Sequence, residues 1–145
     1  MKKSFLIMLI LFVLTLVNCT KNDKITDVDL DIKEKMFTGQ VNYVYRNYRK
    51  YVGKSIRLEG LMLSNKFFDI YDEEFYTVVR LKPDCCGEND VGFRVEWTKD
   101  ETKTYPNDEA WVEAIGTLRV DSNGIYLDLI SLKELNRRGA RYVRH

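Results

Sequence analysis

Apolar and polar positions divide this chain into stretches of different period. Lys2 and Lys3 precede an apolar run from Phe5 to Val17, interrupted only by Thr15 and followed by Asn18 and Cys19. A charged start and an apolar stretch of 13 residues fit a secretion signal over residues 1–18, since a permanent membrane helix takes about 20. Residues 19–31 are polar and acidic, the composition of a tether with no fold of its own. From Ile32 onward Phe37, Val41, Val44, Tyr48 and Tyr51 recur every three or four positions. That stripe predicts a helix over 33–50, weakened by about 1 kcal/mol at Gly39 and stopped by Gly53.

Beyond Gly53 the period falls to two. Ile56, Leu58, Gly60 and Met62 alternate with Arg57 and Glu59, as in a half-buried strand. A second strand is predicted over 74–82, ended by Pro83, which removes a ladder donor. A third runs over 91–97, where Val91, Phe93, Val95 and Trp97 share one face. Residues 98–109 read as a polar loop. Strands over 110–120 and 124–132 are joined through Asp121-Ser122-Asn123-Gly124, where Asn-Gly tolerates the positive φ of a tight hairpin. Five strands led by one helix predict a mainly β chain forming a small antiparallel barrel that closes its own edges. The domain is expected over 32–135. The basic tail 136–145, with Arg137, Arg138, Arg141 and Arg144, has too few apolar residues to dock firmly on this reading.

Composition changes this picture in one respect. With 45% apolar and 12% aromatic residues the chain supports a folded core, not a disordered surface tether. Basic and acidic residues nearly balance at 23 and 22, so no global field recruits nucleic acid. Arg46, Arg49, Lys50, Lys54 and Arg57 nevertheless gather around the predicted helix end, a solvated face or one that meets anionic headgroups.

The end of the apolar run, Leu16-Val17-Asn18-Cys19, resembles the bacterial lipobox, with Asn18 where that motif usually has Gly, Ala or Ser. The resemblance implies a lipoprotein in which Cys19 becomes the first residue and carries acyl chains such as palmitate. Two or more chains hold a protein on a membrane where one does so only marginally. The expected address is therefore the cell membrane or outer membrane, facing outside the cytoplasm.

Residues 51–63 (YVGKSIRLEGLML), Arg80, Cys85-Cys86, Gly92 and WVEAIGTL at 111–118 follow one another in an order that resembles the carboxy-terminal domain of the YcgQ-like permease accessory family. The similarity covers roughly residues 32–134. It implies an OB-like barrel outside the cytoplasmic membrane, beside a permease, with a lipid on Cys19 replacing the membrane helices that precede this domain in the family. The family's Cys-Cys-x-Ala-Asp-Ala stretch is here Cys85-Cys86-Gly87-Glu88-Asn89-Asp90, with Asp90 the counterpart of its aspartate.

Adjacent cysteines have Cα atoms about 3.8 Å apart, below the usual disulfide span, so Cys85 and Cys86 read better as thiols or thiolates. With Asp84, Glu88 or Asp90 they suit zinc or Cu(I), although a closed zinc site needs four ligands and the lone His145 ends the chain. The plainer alternative is one packed cysteine and one turn cap. Asp84, Asp90 and Arg80 are the candidate binding residues around the pair. Tyr43, Tyr45, Tyr71, Tyr76, Trp111 and Tyr126 offer a stacking surface of the kind OB barrels use, against the reading that they simply build the barrel wall. No nucleophile–base string or P-loop occurs, so no enzyme and no resident cofactor are expected. The expectation is a lipid-anchored, non-catalytic binding or accessory domain. Metal or thiol handling by Cys85-Cys86 is the alternative, and a purely structural envelope lipoprotein a third.

Overall fold

The computed structural model describes residues 27–64, 74–85, 87–100 and 102–143. A two-residue strand β1 (Leu30–Asp31) leads through a 3-10 turn (Glu34–Met36) into helix α1 (Phe37–Arg46) and a second 3-10 turn (Tyr48–Lys50). Five longer strands follow: β2 (Ser55–Ser64), β3 (Tyr76–Asp84), β4 (Gly87–Glu96), β5 (Trp111–Asp121) and β6 (Gly124–Glu134). They close into a barrel in the order β2-β3-β4-β6-β5 and back to β2, the strand order of an OB barrel. The five-stranded barrel is as expected, with one refinement. A closed ring with an odd number of strands cannot be antiparallel at every contact, and the parallel contact here is β4 against β6.

The predicted helical stripe is borne out. Phe37, Val41 and Val44 are buried in the same core as Ile56, Leu58, Val78, Phe93 and Leu127, with Tyr48 and Tyr51 packed beside them. The α-helix is shorter than expected, because Asn47 leaves helical geometry (φ −120°, ψ 25°) and ties the end back to the Tyr43 carbonyl by its side-chain amide at 3.0 Å. Gly53, at φ +84°, completes the turn into β2. Among the described residues the core runs from Ile32 to Val143.

Pro83 does not end β3 as the sequence suggested. β3 and β4 continue in register through Leu81↔Asp90, Pro83↔Glu88 and Asp84↔Gly87. The reason lies in the direction of the N–H groups. Leu81 turns its N–H away from β4 and gives it to the Arg141 carbonyl at 2.9 Å. Two residues on, Pro83 faces its nitrogen the same way, so the β3–β4 ladder loses no donor.

Both ends of the chain also depart from the sequence reading. The supposed tether is docked from Asp29 onward. β1 lies parallel on β2, with Leu30↔Ile56 and Asp31↔Arg57, and Ile32 donates to the Arg57 carbonyl at 2.9 Å. The tail expected to stay loose is docked as well. Tyr142 bridges Leu81, Val143 returns its N–H to Leu81 at 2.9 Å, and the Val143 side chain is only 4% exposed. Backbone pairing along an open stretch of β3, the buried Val143 and the bonds of Ala140 to Arg80 and Glu34 hold it. Gly139 permits the approach, because a Cβ there would sit 2.8 Å from both the Trp111 ring and the Glu34 carboxylate.

Candidate functional site: a groove on the outer face of β3 and β4

On β3 and β4, Thr77, Val79, Gly92 and Arg94 share the face opposite the core residues Val78 and Phe93. They floor a cavity of about 530 Å³ that also takes in Tyr45 from α1, Leu63 and Ser64 from β2, Phe75, Asp90, and Asn123 to Ile125 of the β5–β6 hairpin. Gly92 fixes its depth. A Cβ at this position would lie 2.0 Å from the Val78 carbonyl oxygen and 2.7 Å from the Val79 Cα, so only glycine lets the strands sink here. Tyr45 borders the groove, donating its hydroxyl to the Gly92 carbonyl at 3.1 Å and stacking on Phe93 with centroids 5.3 Å apart. Burial raises the Tyr45 hydroxyl above the ordinary phenol value, keeping it a donor.

The groove is polar at its ends. Arg94 pairs with Asp121 and approaches Glu96 at 3.4 Å, with its guanidinium 5.0 Å from the centre of the Tyr126 ring. Asp121 also accepts from the Asn123 N–H at 2.8 Å, which ties the hairpin turn to the same carboxylate. Burial pushes Asp121 upward, but the hydrogen bonds from Arg94 and Asn123 outweigh it and leave the group below the usual carboxylate range. At the far end Asp90 is raised instead, by burial first and by neighbouring Glu88 second. Ser64, at the rim, is fixed through its N–H and hydroxyl to Asp108 at 2.8 and 3.0 Å. The result is an apolar trough of Tyr45, Phe75, Val79 and Ile125 between the tethered Arg94 and the Asp90 carboxyl.

The residues singled out from the sequence do not converge on one place. Asp90 lines the groove. Arg80 does not: it is 2% exposed and serves the fold. Its Nε–H donates to the Glu59 carbonyl at 2.9 Å, its Nη1 lies 3.2 Å from the Ala140 carbonyl and 3.1 Å from Glu34, and its guanidinium packs within 5.0 Å of the Phe37 and Trp111 rings. Arg80 lines instead a separate cavity of about 280 Å³ with Glu34, Arg57 and Glu113. Cys85 is exposed at the tip of the β3–β4 hairpin, after Asp84, which pairs with Gly87. Cys86, like Cys19 and Tyr71, lies outside the described residues. Among the described residues no three His, Cys, Asp or Glu side chains gather as a metal set.

Of the aromatics, Tyr45 lines the groove, Trp111 is buried, Tyr76 stacks on Tyr105, and Tyr126 lies under Arg94. Thr77, Arg94 and Asn123 were not foreseen as site residues. Their signal is the polar face of the β4 alternation together with the Asp-x-x-Gly spacing, which occurs at both hairpin turns.

A closed OB-like barrel with a groove on its β3–β4 face and, among the described residues, no helix long and apolar enough to cross a membrane defines a small β-barrel domain. Residues 16–143 match the DUF1980 C-terminal domain, and the chain belongs to that family. The match extends beyond the 32–134 inferred from the quoted residues, taking in Cys19 at one end and the docked tail at the other. No curated protein matches the chain.

Proposed function

We propose that this chain is a non-catalytic binding module, held outside the cytoplasm by acylation of Cys19, that serves a membrane protein such as a permease. The observation that carries the binding role is the 530 Å³ groove, whose floor is sunk by Gly92 and whose Arg94 is held in place by Asp121. The Arg94 guanidinium and the apolar walls of Tyr45, Phe75, Val79 and Ile125 recognise a small molecule or a short segment of a partner and move no proton to do so. The lipobox-like leader supports the anchor and the address. The test is recovery of partners from intact membranes with the full chain and with Thr77→Arg, which fills the groove from a half-buried outward position. Partner recovery that disappears with Thr77→Arg supports the role; equal recovery from both chains overturns it. Acyl labelling of the full chain and its Cys19→Ala variant tests the anchor separately.

The exposed hairpin tip favours a second reading, in which Cys85 and Cys86 hold a soft metal or exchange thiols. Zinc and Cu(I) titration followed by mass measurement separates the two. Uptake abolished by Cys85→Ser with Cys86→Ser supports metal handling, and no uptake removes it.

A further inference from the structure

We infer that the turn joining α1 to β2 is a docking surface for anionic lipid headgroups, and that the barrel rests on its membrane through this end. From Lys35 to Leu58 the chain contains no Asp or Glu. Arg46, Arg49, Lys50 and Lys54 are all exposed, and none forms an ion pair with a described carboxylate. Cations are favourable at a helix C-terminus, which accounts for Arg46 in the last turn of α1. It does not account for Lys50 and Lys54, which lie beyond that turn. Arg46, Arg49 and Lys50 line a shallow cavity of about 340 Å³ at this end, room for a phosphate-bearing headgroup.

Apolar and aromatic groups share the surface with the cations. Val52 is 43% and Tyr43 52% exposed, the latter edge-on to Tyr51 with centroids 6.2 Å apart, and the Lys54 ammonium lies 5.5 Å above the Tyr51 ring. Lysine and arginine beside tyrosine and one exposed aliphatic side chain is the chemistry of a membrane interface, where headgroups neutralise charge and rings sit at the glycerol level.

The direction of the chain supplies an independent argument. Because β1 runs parallel to β2 with Leu30 opposite Ile56, the residues before Leu30 head back past Ser55 toward Lys54. Three hydrogen bonds between Asp29 and Ser55, at 2.7 to 3.0 Å, fix that course. Cys19 precedes the first described residue, Asp27, by eight positions, a reach of at most about 28 Å. A lipid on Cys19 would thus keep the basic end near the bilayer. The location rests on the proposed anchor, whereas headgroup binding itself does not.

The chain beginning at Thr20 carries neither leader nor acyl group and contains every described residue, so it reads the surface alone. It is expected to co-sediment with vesicles of equimolar phosphatidylcholine and phosphatidylglycerol, not with phosphatidylcholine alone, and to release as salt rises. Arg49→Gln and Lys50→Gln are each expected to weaken this binding about fivefold, with unchanged circular dichroism because both side chains are exposed. Equal sedimentation with the two vesicle types, undiminished binding by the Gln variants, or capture of single-stranded DNA in place of vesicles would overturn the inference. Absence of acyl label on the full chain, with vesicle binding intact, would remove the anchor and leave the docking surface standing.

Discussion

The Nε–H of Arg80 donates to the Glu59 carbonyl at 2.9 Å, in the gap that opens where β3 parts from β2. The β2–β3 ladder ends at Leu61↔Val79, and beyond it the guanidinium takes the place of the next backbone donor. The same group reaches the tail at Ala140 and the 3-10 turn at Glu34, so one side chain joins three segments distant in sequence.

Replacing Arg80 therefore leaves the Glu59 and Ala140 carbonyls and the Glu34 carboxylate without their guanidinium partner. Arg80→Met is expected to lower unfolding stability by about 3 kcal/mol, read as a lower urea midpoint. Arg80→Lys should recover little of it, since an ammonium cannot serve three directions from one plane.

Gly92 and Gly39 make a matched comparison. At Gly92 a Cβ would meet the Val78 carbonyl oxygen at 2.0 Å, whereas at Gly39, within α1, it would meet nothing within 4 Å. Gly92→Ala should destabilise the barrel by about 3 kcal/mol or more and shrink the groove. Gly39→Ala should stabilise by about 0.5 to 1 kcal/mol. Thermal melts of the two variants moving in the same direction would contradict this account.

The clamp on the tail has a pH dependence with a definite sign. The Ala140 N–H, and then Arg80, hold Glu34 below the ordinary carboxylate value. A depressed folded value contributes stability that is complete above the unfolded value of about 4.3 and is lost as pH falls through the folded one. The Val143 methyl resonances should accordingly shift toward a released tail in that acid range. Glu34→Gln should show partial release at neutral pH and no acid step of this origin.

Cys85 is exposed at a hairpin tip, so its packing contributes little. Cys85→Ser is expected to change stability by no more than about 0.5 kcal/mol. A large loss in chemical denaturation would mean that the thiol is structural, which favours the packed-cysteine reading over metal or thiol handling.

Local patterns were legible in the sequence where neighbours in the chain are also neighbours in the fold. Phe37, Val41 and Val44 announce the buried face of α1, and Asp121 to Gly124 announce the last hairpin, although only Gly124 takes positive φ (114°) and the turn centres one residue earlier than expected. Pro83 misled because its effect depends on which neighbour its nitrogen faces, a fact of the sheet and not of the strand. The tail misled because its hold is a backbone bridge to Leu81 plus one valine. Arg80 looked like a site residue because its partners, at positions 34, 59 and 140, are brought together only by the fold. The groove was half visible: Asp90 and Tyr45 were singled out, but the alternation of β4 did not reveal that Arg94 is held by a hairpin 27 positions away.

The parallel course of β1 along β2 has a mechanical consequence. A pull on the segment before Asp29 acts lengthwise on the pairing, so the bonds of Asp29, Leu30 and Asp31 to Ser55, Ile56 and Arg57 are loaded together in shear, not peeled one by one. The β1–β2 pairing can thus bear tension from the preceding segment without opening the barrel.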